Sequence, residues 1–256
     1  MRLAETVYEA DGDEDLPPLI VVHGLFGSAK NWRAHAKRLG PGRRRIAVDL
    51  RNHGASGWDD RNDYAALAED LAETIEAAGG RAAILGHSMG GKAAMVLALA
   101  RPDLVERMIV ADIAPVAYEH DLMAEIEAMR AVDLSGLQRR AEVEAALEPH
   151  VETPAVRSFL AQSAILDDDP RWALNLDALD RFMAEIVGFP EVDGRFEGPT
   201  LFLHGGASDY VMPEHRPRIE ALFPAASFKT LDGAGHWLHA DAPRPFLEAS
   251  NAFLAG

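Results

Sequence analysis

The sequence predicts an α/β protein, a mostly parallel sheet flanked by helices and carrying an inserted helical segment, on three observations. Short apolar runs alternate with stretches of helical spacing, the signature of strands and helices in turn. That alternation breaks between residues 114 and 198 and resumes after them. Finally, Gly86-His87-Ser88-Met89-Gly90-Gly91 lies directly between an apolar run and a helical stretch.

The elements follow in chain order. Leu3 to Tyr8 is expected as an edge strand. Leu19 to Val22, Arg45 to Val48, Ala82 to Leu85, Met108 to Ala111, Thr200 to Leu203 and Ser227 to Leu231 read as buried strands. Helical spacing runs through Trp32 to Leu39, Tyr64 to Ala78, Lys92 to Ala100 and Phe246 to Leu254. Asp63 is the expected N-cap of the second of these, and Gly79-Gly80 its stop. Within residues 114–198 only helices are expected: Asp121 to Ala131, Gln138 to Leu147, Pro154 to Ala164 and Leu176 to Val187. Pro149, Pro154, Pro170 and Pro190 punctuate them. An insertion between two parallel strands sits most naturally over the carboxyl edge of the sheet, where ligands bind. The expected division is therefore a core of residues 1–113 and 199–256 with a helical cap, or lid, of residues 114–198.

Composition bounds the function. A chain of 256 residues suffices for one large domain and a sizeable core. With 41 acidic against 25 basic residues the formal charge is -16, which argues against nucleic acid or an anionic membrane as partner. The absence of cysteine excludes disulfides, thiolate catalysis and thiolate metal sites. Met1-Arg2-Leu3-Ala4-Glu5 shows no apolar signal region, and no apolar run reaches the about 18 residues that span a bilayer. The expected location is the cytoplasm.

The serine carries the chemistry. Flanked by glycines at a strand-to-helix turn, Ser88 reads as a nucleophile elbow, its hydroxyl at the apex of a strained turn whose neighbours must be small. A serine hydroxyl needs a base within hydrogen-bond reach. Of ten histidines, His236 is the best placed, in the loop Asp232-Gly233-Ala234-Gly235-His236-Trp237 just after the last expected strand. His239 is expected in packing or at the surface, and the side chain of His87 away from the hydroxyl. An oxyanion hole needs two backbone donors. The amide of Met89 is one; the other is expected from His23-Gly24-Leu25-Phe26-Gly27-Ser28, with Leu25 first and Phe26 as alternative. For the acid that orients the histidine, Asp112 and Asp209 both follow a strand end and both satisfy the order serine, acid, histidine. Spacing alone does not separate them.

Further motifs complete the pattern: HGLFGS at 23–28, Asn31-Trp32, DLRNHGAS at 49–56, GHSMGGK at 86–92, ADIAPVAY at 111–118, GG-x-SDYV at 205–211 and GAGHWLHADAP at 233–243. Together they resemble the α/β-hydrolase superfamily over nearly the whole chain. Within it the chain looks closest to a branch of small bacterial carboxylesterases related to the mitochondrial α/β-hydrolase-domain proteins. The resemblance implies the α/β-hydrolase fold, Ser88 as nucleophile and His236 as base. Many superfamily members carry the acid in a G-x-x-D pattern that Gly206 to Asp209 fits. In the branch resembled, that loop often has serine there, and the D-I-x-P motif supplies Asp112 instead. This chain has both, which puts the acid in question; the reading sets Asp112 first and Asp209 as alternative. Asp49, Arg51 and His53 match a pattern that in the superfamily usually links loops beneath the site.

The expected activity is that of a serine carboxylesterase acting on short- to medium-chain carboxylic esters through an acyl-enzyme. Phe26, Trp172, Phe182, Met183 and Trp237 are the expected substrate-binding side chains, with Met123, Ile126, Met129 and Phe159 as further candidates from the cap. A thioesterase or another acyl or carbon–carbon hydrolase on the same scaffold is the alternative, and a non-catalytic binder of a small ligand is a remoter one. A dehalogenase is not expected, because that chemistry on this fold uses aspartate at the elbow. No metal and no organic cofactor is called for. The expected partner is a small ester, and the expected assembly a monomer or small homo-oligomer.

Overall fold

The computed structural model describes residues 1–10, 16–119 and 122–256. A seven-stranded sheet runs through it, built from β1 (Ala4–Tyr8), β2 (Leu19–Val22), β3 (Arg45–Asp49), β4 (Ala82–His87) and β5 (Val105–Ala111), joined later by two more strands. A short antiparallel pair, β6 (Ala164–Ile165) and β7 (Arg171–Trp172), stands apart from it; β8 (Thr200–Gly205) and β9 (Ala226–Leu231) complete the main sheet. The order is β1-β3-β2-β4-β5-β8-β9, with β1 antiparallel at one edge and the rest parallel. Successive residues of β2 face opposite ways: Ile20 and Val22 enter one core, Leu19 and Val21 the other. Burial on both faces is why these strands read as unbroken apolar runs.

The helices are α1 (Arg33–Ala36), α2 (Tyr64–Ala77), α3 (Met89–Ala100), α4 (Met123–Ala131), α5 (Arg140–Leu147), α6 (Pro154–Ala161), α7 (Leu176–Arg181), α8 (Met183–Val187), α9 (Arg216–Leu222), α10 (Leu238–Asp241) and α11 (Pro243–Ala255). Asp63 caps α2 by accepting from the Ala66 amide at 2.8 Å, and two glycines with positive φ, Gly79 and Gly80, follow its end. The helix expected from Trp32 begins earlier, as a 3₁₀ turn over Ala29–Trp32, because the Asn31 side chain accepts from the Ser28 amide at 2.7 Å.

Residues 114–198 depart from the all-helical expectation in two ways. The β6–β7 pair closes over an Asp167-Asp168-Asp169-Pro170 turn, in which the Asp169 amide donates to the Asp167 carboxylate. The helix expected over Leu176 to Val187 breaks at Phe182, which is the C-cap of α7. Asp121, expected to open the first of these helices, lies outside the described residues.

Register positions the chemistry. His87 pairs with Ala111 and Ala111 with Leu203, so Ser88 and Asp112 both begin where adjacent strands end. The Ser88 amide donates to Ala111 O at 3.0 Å and the Asp112 amide to Leu203 O at 2.9 Å, extending the ladder one residue past each strand. Strand order reverses between β2 and β4, and such a switch point opens a crevice at the carboxyl ends. Glycine is required there: a methyl on Gly86 would lie 2.4 Å from Gly90 O, and one on Gly90 would lie 2.3 Å from His23 O. Gly90→Ala should therefore force β2 and α3 apart. At an overpacking cost of about 1–3 kcal/mol, thermal unfolding monitored by circular dichroism should shift down by roughly 2–12 °C.

Candidate active site

Among the described residues, four non-glycine residues adopt positive φ: Phe26 (61°), Asn52 (64°), Ser88 (52°) and Asp112 (53°). Such conformations cost energy and persist only where the surroundings enforce them. Three of the four bear residues expected at the site. Ser88 sits at the tip of β4, ahead of α3, whose first amide is that of Met89 and has no intrahelical partner by position. Opposite it, Gly27 N–H donates to Gly24 O at 3.0 Å, closing a turn with Leu25 and Phe26 at its centre. The closing bond uses neither central amide. A Cβ on Gly24 would be 3.1 Å from Ser88 Cβ, so this turn lies directly against the elbow.

The carboxylate beside His236 is that of Asp112. It is fully buried, and its Oδ2 lies 2.8 Å from His236 Nδ1. Gly205 N–H donates to Oδ1 at 2.9 Å, and the Ser208 hydroxyl donates to Oδ2. Because an ionised carboxylate only accepts, Nδ1 carries the proton and Nε2 is left with a lone pair. An imidazole so held can take up a proton at Nε2 and be steadied by the carboxylate while charged. Asp209 is exposed in the loop after β8.

A cavity of about 120 Å³ joins these groups, lined by Ser88, His236, Gly24, Leu25 and Phe26 together with Leu122, Glu125, Val156, Phe159, Leu160, Tyr210 and Trp237. A smaller cavity of about 30 Å³ also reaches Ser88, between Met89, Tyr64, Lys92, Ile113, Tyr118 and Ile186. Of the expected substrate-binding side chains, Phe26 and Trp237 line the larger cavity. Trp172, Phe182 and Met183 line neither and are corrected to packing roles. Trp172 is buried and gives its indole N–H to Met129 O at 2.9 Å, Met183 is buried, and Phe182 packs against the same core. Phe159, a further candidate from the sequence, does line the larger cavity, beside Leu122 at the N-cap of α4, Glu125 of α4, and Val156 and Leu160 of α6.

The comparisons agree with this architecture. Residues 17–243 match the family model described as the alpha/beta hydrolase fold. The chain belongs to the α/β-hydrolase family. It is 42% identical over 255 residues to the mouse sn-1-specific diacylglycerol lipase ABHD11, covering 96% of this chain and 83% of the relative. It is 36% identical to the esterase YbfF of Escherichia coli strain K12, covering 99% of each chain. A solved marine microorganism esterase superposes with a TM-score of 0.91 at 36% identity, covering 98% of this chain and 99% of the other.

In this α/β hydrolase the loops beneath the cavity are tied by one carboxylate. Asp49 accepts from Ala29 N at 2.6 Å through Oδ1 and from Ala55 N at 2.8 Å through Oδ2. His23 accepts from Leu50 N at 2.9 Å through Nε2, which leaves Nδ1 to donate to Gly24 O at 2.8 Å. Residues 114–198 are pinned to the rest of the chain at several points. Gly54 N donates to Ala173 O at 2.8 Å, the Tyr64 hydroxyl to Ile186 O at 2.7 Å, and the buried Lys92 ammonium to Val187 O at 2.8 Å and Gly188 O at 2.5 Å. Burial lowers Lys92 to about 7. His87 and His239, set aside by sequence reasoning, both line the larger cavity. His239 stacks on Trp32, with centroids 4.5 Å apart, and helical position alone gave no sign of that.

Burial lowers His23 to about 4, and His53 and His239 to about 3. The unfolded chain takes up protons at these histidines near pH 6.5, whereas the folded chain resists until pH 4 or below. Their contribution to stability is therefore complete above about pH 6.5 and is lost as the pH falls toward 4 and 3. The melting temperature should fall steeply between pH 6.5 and 4. His53→Asn, which removes one of these groups, should flatten that slope in a thermal-shift series.

Proposed function

We propose that the protein is a carboxylic ester hydrolase working through Ser88, His236 and Asp112. Ser88 attacks the acyl carbonyl as His236 Nε2 accepts its proton, and the amides of Met89 and Leu25 hold the developing oxyanion. His236 then protonates the departing alcohol. A water activated by the same imidazole releases the acid and restores the serine. The observation that carries this reading is the buried Asp112 carboxylate 2.8 Å from Nδ1 of His236, whose imidazole lines the same cavity as Ser88. The relatives named esterase and diacylglycerol lipase support ester substrates.

The larger cavity supports short- to medium-chain acyl groups, with Leu25, Phe26, Val156, Phe159, Leu160 and Trp237 offering apolar contact. Among the described residues no helix is long and apolar enough to cross a membrane, and no cluster of potential metal ligands is present. Residues 114–198 act as the cap over the site in this reading, and the cytoplasm is the compartment we assign.

Hydrolysis of a p-nitrophenyl ester series from acetyl to long acyl chains tests the activity. Ser88→Ala should lose on the order of a millionfold in kcat and no longer be labelled by a fluorophosphonate. Turnover that survives in this variant would overturn the serine mechanism. Asp112→Asn should lose on the order of ten-thousandfold in kcat, whereas Asp209→Asn should stay near wild type. The reverse order would make Asp209 the acid.

A further inference from the structure

The His236 imidazole has a neighbour that the hydrolytic mechanism does not use. The Tyr210 ring lies nearly parallel to it, with centroids 4.0 Å apart and planes 21° from coincidence. His87 packs on the same imidazole at 4.7 Å and donates through Nε2 to His236 O, 2.9 Å away. A carbonyl only accepts, so His87 Nε2 carries the proton.

Tyr210 is itself held in place. Its carbonyl accepts from the Tyr118 hydroxyl at 2.7 Å, and that hydroxyl accepts from Ala114 N at 2.8 Å. Its amide donates to the Ser208 hydroxyl at 3.3 Å, and Ser208 donates in turn to Asp112. One short loop thus fixes both the carboxylate at the edge of the imidazole and the ring over its face.

We propose that Tyr210 is a positioning residue for His236, its π face steadying the imidazole against Asp112 and favouring its protonated form. This rests on the reading of His236 as the base. An aromatic face attracts a cation within about 6 Å of its centroid, and more strongly where water is excluded. The charge on His236 exists only after it has taken the serine proton. An interaction with that charge therefore favours the transition state over the resting enzyme. The proposal concerns the ring face, which phenylalanine keeps.

Among the described residues, the other ionisable groups near the imidazole are Asp112 at Nδ1, His87 and His239 in the same cavity, Glu125 from α4, and Asp209 beside Tyr210. They are unchanged in Tyr210 variants, so the difference between variants isolates the ring.

The test is an NMR titration of His236, its resonance assigned by its loss in His236→Gln, in wild type, Tyr210→Phe and Tyr210→Leu. Tyr210→Phe should titrate as wild type does. Tyr210→Leu should titrate lower by about half a pH unit to one pH unit. The acid limb of kcat/KM should move by the same amount, and kcat should fall about three- to tenfold with KM little changed. Tyr210→Met, which refills the volume without a π face, replaces the leucine variant if that one does not fold. An unshifted titration in the leucine or methionine variant would overturn the proposal, as would an equal drop in Tyr210→Phe. The titration needs no turnover. If Ser88 resists fluorophosphonate, the hydrolase reading fails while the ring contact is still measured.

Discussion

A carboxylate removed wholly from water must find its donors in the protein, and the surroundings of Asp112 are arranged to supply them. Burying an unpaired charge costs several kcal/mol, so the donors have to be in place before the group is tolerable. The amide of Gly205, the hydroxyl of Ser208 and Nδ1 of His236 fill that need. They come from the end of β8, the loop after it and the loop after β9. Three separate stretches of chain thereby converge on one side chain. The cost of burial is offset only when β5, β8 and β9 are in register, which couples the acid to the sheet.

The same economy explains the backbone. Ser88 and Asp112 take positive φ immediately beyond β4 and β5, where each amide still bonds to the neighbouring strand. The ladder anchors the residue while its conformation turns the chain away. Phe26 does the equivalent beyond β2, in a turn that a methyl on Gly24 would drive into Ser88. Among the described residues this strain lies at the carboxyl edge, and the two apolar cores on either side of the sheet sustain it.

Much of this is legible in the sequence for identifiable reasons. Strands buried on both faces leave continuous apolar runs, and Gly86 and Gly90 mark an elbow because nothing larger fits between β2, β4 and α3. Which carboxylate meets His236 is not legible. Asp112 and Asp209 both follow strands, and the difference lies in burial: one is enclosed by β8 and its loop, the other stands in water. The β6–β7 pair escaped because strands of two residues carry no periodicity; only the Asp-rich turn before Pro170 hinted at it. Apolar residues read from their spacing misled for a related reason. Trp172 and Met183 are as apolar as Phe159, but amphipathic spacing reports that a side chain is buried, not which cavity it faces.

The anchoring of residues 114–198 bears on how anything reaches Ser88. Lifting this segment as a rigid flap would strand the Lys92 ammonium from the carbonyls of Val187 and Gly188 and break the Tyr64 bond to Ile186. Parting the two bodies would also undo the bridge between His53 and Leu174. Local rotation of Leu122, Phe159 and Trp237 at the cavity wall disturbs none of these bonds. An opening made by side-chain rotation alone would keep that anchoring intact, and exposed rotamers turn in nanoseconds where hinges take up to milliseconds. Such an entrance works as a sieve rather than a door, admitting molecules by girth with little delay.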